Sequence, residues 1–209
     1  MGHQSSYGLE AAGVLAACVA KAFEPGVTVD DIVRTAIALA KDGTKAAIAE
    51  LTEAARGLRP FRDDMDRVVE TFQEILLKYS PMGDDVSRHI DKLGVPSNHY
   101  TPSRLWSIEE LPLALAFMVL NDGEYYRTIL DGVNSGRDTD SIGVMAGVIL
   151  GAMHGYEVIR TEDIEQLNKV NRLDLCGIAD RFSEIAAGII EEDLRIYESR
   201  KRVWMDELL

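Results

Sequence analysis

Residues 134–155 read NSGRDTDSIGVMAGVILGAMHG, and the second half of this stretch decides the fold. Gly143, Gly147, Gly151 and Gly155 recur at every fourth position, so on a helix over 140–154 they form one gently drifting stripe. Each glycine costs about 1 kcal/mol of helix propensity relative to alanine. A helix that carries four of them needs close packing in return, which predicts a central helix wedged among others. The first half carries the chemistry: Asp138, Thr139, Asp140 and Ser141 fall at the start of that helix. One aspartate there is ordinary, because an N-cap carboxylate accepts from free backbone amides and suits the helix dipole. Two carboxylates flanked by hydroxyls raise each other's proton affinity unless positive charge neutralises them. A divalent cation does so, and these oxygens are the hard ligands that Mg²⁺, Ca²⁺ or Mn²⁺ prefer. On spacing alone, capping and cation binding both stay open.

Outward from this segment the apolar spacing is helical throughout. Leu9, Ala12, Ala16, Val19 and Phe23 mark a buried Ala-rich helix over 7–23. Pro25 and Gly26 break it, and Thr28 with Asp31 three residues on resembles a capping box for a helix over about 29–41. A further helix runs to about Arg56. Met65, Val68, Val69, Phe72, Ile75 and Leu76 line one face of an amphipathic segment over 61–78. A short helix over 86–93 leads into GVPSNHYTPSRLW (94–106), the best loop candidate, which carries Asn98, His99 and Tyr100. Ser107 with Glu110 caps a helix containing LPLALAFMVL, bent by Pro112 near its first turn. Further helices cover about 124–133, 140–154, 162–170 and 178 to near the C-terminus. No strand pair, hairpin turn, repeat or low-complexity linker is present in the sequence. The expected architecture is all-α, a compact multi-helix array forming a single domain over residues 1–209.

Composition narrows the function. With 46% apolar and 27% charged residues, the chain of 209 residues has enough material for one substantial core. Thirty-five acidic against 22 basic side chains give a net charge of -13, a field that repels nucleic acid and anionic membranes. A local phosphate site remains compatible with that field where helix N-termini, a metal or an arginine dominate nearby. Cys18 and Cys176 lie in apolar helical patterns without CxxC or histidine spacing and read as buried free thiols. No basic n-region precedes an apolar h-region, and no apolar run reaches the ~20 residues that span a bilayer. The expectation is a cytoplasmic protein with neither nucleic-acid nor membrane partners.

The segment VNSGRDTDSIGVMAGVILGAMHG (133–155) resembles the C-terminal motif of the ADP-ribosylglycohydrolase family, in which G-[GR]-D-T-D-[TS]-I-G precedes a Gly/Ala-rich helix. SIEELPLALAFMVLNDGEYYRTILDGVNSG (107–136) is similar to the family's EE-x-x-P-A-A-L helix and the helix that delivers the metal loop. HQSSYGLEAAGVLAACVAKAFEPGVTVDDIV (3–33) is similar to its Ala-rich helix and PG-A-T-V turn. The resemblance implies an all-α hydrolase with two divalent metals, Mg²⁺ or Mn²⁺, that removes ADP-ribose from a modified side chain or small molecule. It implies that Asp138, Asp140 and Ser141 are metal ligands. Gly136 and Thr139 match the motif as backbone-shaping or supporting positions, and Arg137, where a second glycine is common, pairs with Asp138 or with a ligand phosphate. Together with Asn98 and Tyr100 from the loop, these three are the candidates for contact with an ADP-ribosylated substrate or ADP-ribose. In such a site a metal pair holds ribose hydroxyls and polarises a water for attack at the anomeric carbon, while a carboxylate assists proton transfer.

The family's N-terminal G-D-A-x-G and T-D-D-T segments, which carry the other metal ligands and the catalytic acid, have no match here. RDDMD (62–66) and GDD (83–85) are the nearest acidic clusters, and both read as solvated helix ends. Half of the metal site and the catalytic residue are therefore unaccounted for. Three outcomes follow: a fragment of a longer enzyme, a site completed by a complementing chain or in a homo-oligomer, or a non-catalytic relative acting as a binding or structural module. Elsewhere, His3 reads as a chain-end histidine, His154 as a satisfied helix-end histidine, and EEDLRIYESRKRVW (191–204) as a charged helix packed along one apolar side.

Overall fold

A computed structural model describes residues 7–79, 107–136 and 138–207, and every regular element among them is helical. The chain divides into two compact units, Met1–Val158 and Ile159–Leu209. The first contains α1 (Tyr7–Ala22), α2 (Val29–Leu39), α3 (Asp42–Leu58), a 3-10 turn (Arg59–Phe61), α4 (Met65–Leu76), α5 (Ser107–Leu120), α6 (Tyr125–Asn134) and α7 (Thr139–His154). The second contains α8 (Thr161–Asn171) and α9 (Leu175–Glu207).

The centre of the first unit is α5. Its sequence is apolar on every face, and its described side chains from Ile108 to Leu120 that carry apolar groups are buried all round. Such a helix is stable only inside a ring of others, and α5 packs most extensively on α3 and also on α1, α6 and α7. On α3 the contact face is written as Ala47, Ile48, Leu51 and Ala55, spaced at three and four residues. Phe72 of α4 meets Phe117 of α5 edge to face, with ring centroids 5.3 Å apart at 78°. Pro112 lies within α5 close to its start, where the missing amide costs little of the helical ladder.

Local signals set the helix ends. Thr28 and Asp31 form the expected reciprocal capping box at α2. The amphipathic segment expected over 61–78 is shorter because Asp64 accepts from the Arg67 amide at 3.2 Å and starts α4 there. The preceding acid, Asp63, pairs with Arg127 at 2.5 Å, so the RDDMD cluster is a cap and an ion pair. At the end of α5, Asp122 and Gly123 take φ values of 53° and 76°, and the Gly123 amide reaches back to the Met118 carbonyl at 2.9 Å. The short helix expected over 86–93 and the loop over 94–106 lie outside the described residues.

The glycines of α7 are used unevenly. A Cβ on Gly143 would stand 3.1 Å from Val133 Cγ2, and one on Gly147 3.5 Å from Ile129 Cδ1, so α6 approaches this half of the stripe closely. Gly132 of α6 reciprocates against Ile142 Cγ2 at 3.0 Å. Gly151 faces nothing within 4 Å, and Gly155 ends the helix at φ 81°.

In the second unit, the Leu175 amide donates to Asn168 Oδ1 at 3.0 Å at the turn between α8 and α9, and Arg172 adopts a left-handed φ of 55°. No described residue of this unit is buried. Among the described residues of the whole chain, no helix is long and apolar enough to cross a membrane.

Candidate functional site

The motif residues converge on the N-terminal end of α7. Ser135 ends α6, where its hydroxyl donates to the Gly132 carbonyl at 2.7 Å. Gly136 follows with φ 84°, a left-handed backbone that a side-chain-bearing residue adopts only at a cost, although a Cβ there would meet no atom within 4 Å. The glycine at this motif position is thus a requirement of the turn rather than of space. Asp138 holds the residue before the first helical turn, and Thr139, Asp140 and Ser141 form that turn, with Asp140 exposed and the other three half-buried.

Asp138 occupies the capping position, with its carbonyl accepting from the Ile142 amide at 3.2 Å, but its side chain makes no cap hydrogen bond. Its carboxylate faces a different neighbour. Glu110 of α5, 9% exposed, donates a hydrogen bond from its carboxyl to Asp138, and Glu109 beside it is 2% exposed. Burial first, then the hydrogen bond to Asp138 and the charges of Asp138, Glu109 and Asp140, push the Glu110 carboxyl up to about 8. Burial works in the same direction on Asp138, yet contacts from Asp140, Glu110 and the Ser141 hydroxyl and amide hold its carboxyl below the ordinary range. The start of α7 thereby gathers acids that stay together only with one proton retained among them.

Glu110 is the residue that sequence reasoning passed over. The spacing reads it as the partner of Ser107 in a cap, whereas α5 begins at Ser107 itself and Glu110 turns to Asp138. The available signal was the charged pair Glu109–Glu110 inside a run that is otherwise apolar on all sides. Of the other candidates, Arg137, Asn98, Tyr100 and His3 lie outside the described residues. His154 places Nε2 2.9 Å from the Gly123 carbonyl oxygen and ties the end of α7 to the turn after α5, which is a structural role.

The oxygens of Asp138, Asp140 and Ser141 have the hardness that Mg²⁺ or Mn²⁺ requires. They fit part of a coordination set: among the described residues, no group of three or more His, Cys, Asp or Glu side chains is arranged to hold a metal ion.

A hydroxyl-flanked pair of aspartates at the head of a glycine-striped helix, backed by buried glutamates, sets a cluster of acids into an all-helical protein. The ADP-ribosylglycohydrolase family model matches residues 1–192, and the chain belongs to this family, whose members are all-α hydrolases acting on ADP-ribose. The Escherichia coli (strain K12) protein named uncharacterized protein YegU is 40% identical over 68 residues, which is 32% of this chain and 20% of that protein. The chain thus aligns with about a fifth of the length of this relative. No solved structure matches the chain.

Proposed function

We propose that the chain is a hydrolase that removes ADP-ribose from a modified protein side chain or small molecule, acting in the cytoplasm. Asp138, Asp140 and Ser141 would hold a divalent cation, Mg²⁺ or Mn²⁺. The observation that carries this reading is the side chain of Asp138, which sits at the head of α7 beside Asp140 and Ser141 and meets the carboxyl of buried Glu110. A cation held by these oxygens would supply a Lewis acid for the ribose oxygens and the attacking water.

The chain's own residues prepare this site. Glu110 fixes the orientation of Asp138 and releases its proton to water when the carboxylates ionise together. Gly136, Arg137, Thr139, Asn98 and Tyr100 are the proposed substrate contacts. The remaining metal ligands and the catalytic acid come from a complementing segment or a second chain. A second reading, binding without turnover, is favoured by the incomplete donor set among the described residues.

Calorimetric titration of Mn²⁺ into the wild type and Asp140→Ala tests the site. Heat of binding in the wild type that disappears in the variant supports it; silence in both leaves Asp138 and Asp140 as acids of the helix start alone. Incubation with ADP-ribosylated arginine and serine peptides then separates turnover from binding. The expected result is weak release of ADP-ribose from this chain by itself and strong release once the complementing segment is added.

A further inference from the structure

The sequence holds three Asp-Gly pairs, Asp42 with Gly43, Asp122 with Gly123 and Asp131 with Gly132. Such a pair is open to an uncatalysed rearrangement, because glycine has no side chain to shield its amide nitrogen from the carboxyl beside it. The chemistry of the three is the same, so the fold decides which of them reacts. Two are held. The Gly123 amide donates to the Met118 carbonyl at 2.9 Å, and the Asp122 carboxylate accepts from Arg59 at 3.1 Å. Asp131 and Gly132 lie inside α6, with Gly132 buried, and the Asp131 carboxylate takes the Asn121 amide at 2.8 Å and Arg127 at 3.5 Å. Asp42 differs on each count. It is exposed at the start of α3, where the first amides lie ahead of the helical ladder, and Lys41 supplies no side-chain cap. Among the described residues, neither its carboxylate nor the Gly43 amide is bonded. Its φ of 42° is left-handed, a conformation that a residue with a Cβ adopts at a cost. The junction is kept in place from outside, by the Glu10 carboxylate of α1, which accepts from the Lys41 amide and from the Thr44 hydroxyl.

The structure assigns Asp42 as a site of spontaneous modification, where aspartate converts to isoaspartate through a succinimide shared with Gly43. The Gly43 nitrogen attacks Cγ of the protonated Asp42 carboxyl, a carbon–nitrogen bond forms, and the hydroxyl departs with the amide proton as water. Water then opens the five-membered ring at either carbonyl, which returns aspartate or leaves isoaspartate, so the net change is an isomerisation with no other reactant. Isoaspartate runs the main chain through the side-chain carbon and lengthens it by one atom. The first turn of α3 then loses its register with Glu10, and Thr44, which is completely buried, loses its hydroxyl contact. Because α3 is the helix on which α5 packs most extensively, the change loosens the main support of the central helix as the protein ages. This inference stands apart from the acidic site and from any activity assigned to it.

Peptide mapping of the full chain after several weeks at physiological temperature and neutral pH reads the outcome. An isoaspartyl peptide separates chromatographically at unchanged mass and resists a protease that cleaves at aspartate. In the native chain isoaspartate is expected to accumulate severalfold faster at Asp42 than at Asp122 or Asp131, and in urea the three positions are expected to converge. Asp42→Glu, whose side chain would have to close a six-membered ring, is expected to lose the signal at this position. Asp42→Asn is expected to convert severalfold faster than the wild type, read as a gain in peptide mass, because ammonia leaves more readily than water. A native chain without isoaspartate at Asp42, one in which Asp122 or Asp131 leads, or three equal native rates would each overturn the proposal.

Discussion

Glu110 of α5 and Asp138 at the head of α7 share a hydrogen bond between two carboxyl groups, and they lean in opposite directions. The glutamate is held protonated up to about 8, while the aspartate is held ionised below its ordinary range. Two acids brought together by separate helices cannot both ionise cheaply in a half-buried setting. The pair therefore behaves as one proton-binding unit, with Glu110 as the donor and Asp138 as the acceptor.

The first consequence is a stability that depends on pH. Glu110 has a folded value near 8 against an ordinary 4.5, so its contribution is fully present below the ordinary value, is lost as pH rises towards 8, and changes no further above it. Metal-free wild type should lose on the order of 2 kcal/mol across that window, after allowance for solvent screening. Glu110→Gln, which keeps the donor and removes the titration, should flatten the dependence. Urea denaturation in the presence of a chelator at mildly acidic and mildly alkaline pH reads both, and equal pH slopes in the two proteins would show that the shared proton does not exist.

Much of this arrangement could be read from the sequence, because the strong signals were local. The four-residue glycine steps placed α7, the Thr28–Asp31 box set the start of α2, and the DTDS run marked the site. Glu110 was misread because its meaning is not local. In sequence it is three residues from a serine and completes a capping pattern, and only the packing of α5 against α7 turns its carboxyl to Asp138. Likewise, the glycine stripe predicts close approach along its length, but among the described residues α6 comes close only at Gly143 and Gly147. The acidic run at 62–66 hides an ion pair to Arg127, a partner about 60 residues away that periodicity cannot supply.

That uneven stripe makes the glycines separable by alanine substitution. At Gly132 the new Cβ stands 3.0 Å from Cγ2 of Ile142, which is 1% exposed and cannot move aside, so overpacking should cost about 1–2 kcal/mol. At Gly143 the nearest atom, Val133 Cγ2 at 3.1 Å, belongs to a side chain 41% exposed that can shift outward, and the change should be close to neutral. At Gly151 no described residue comes within 4 Å, and alanine should gain up to about 1 kcal/mol of helix propensity. Chemical denaturation orders the three variants; a stabilised Gly132→Ala or a destabilised Gly151→Ala would contradict the packing of α6 on α7.

The two cysteines should differ sharply in reactivity. Cys18 is fully buried on α1, and burial pushes its thiol up to about 12, whereas Cys176 is partly exposed on α9. Only the thiolate attacks a disulfide reagent, and it must also be reached. A colorimetric thiol assay at mildly alkaline pH should therefore count one fast thiol per native chain and a second only after denaturant is added. Two fast thiols in the native protein would mean that α1 is not packed in the core.

Thr128 makes a sharper test of the α6 side of the core. Its side chain is completely buried, and among the described residues its hydroxyl has no hydrogen-bond partner. A desolvated hydroxyl without a partner costs about 1–3 kcal/mol relative to water. Valine has the same branched shape and a similar helix propensity, so Thr128→Val removes the orphan without opening a cavity. It should stabilise the protein by about 1 kcal/mol. Serine does the opposite, because it keeps the orphan hydroxyl and deletes the packed methyl, and Thr128→Ser should lose about 1 kcal/mol. The pair isolates the polar contribution from the packing one: a loss in both variants would show that the hydroxyl is bonded after all, and the burial of α6 would need to be redrawn around its partner.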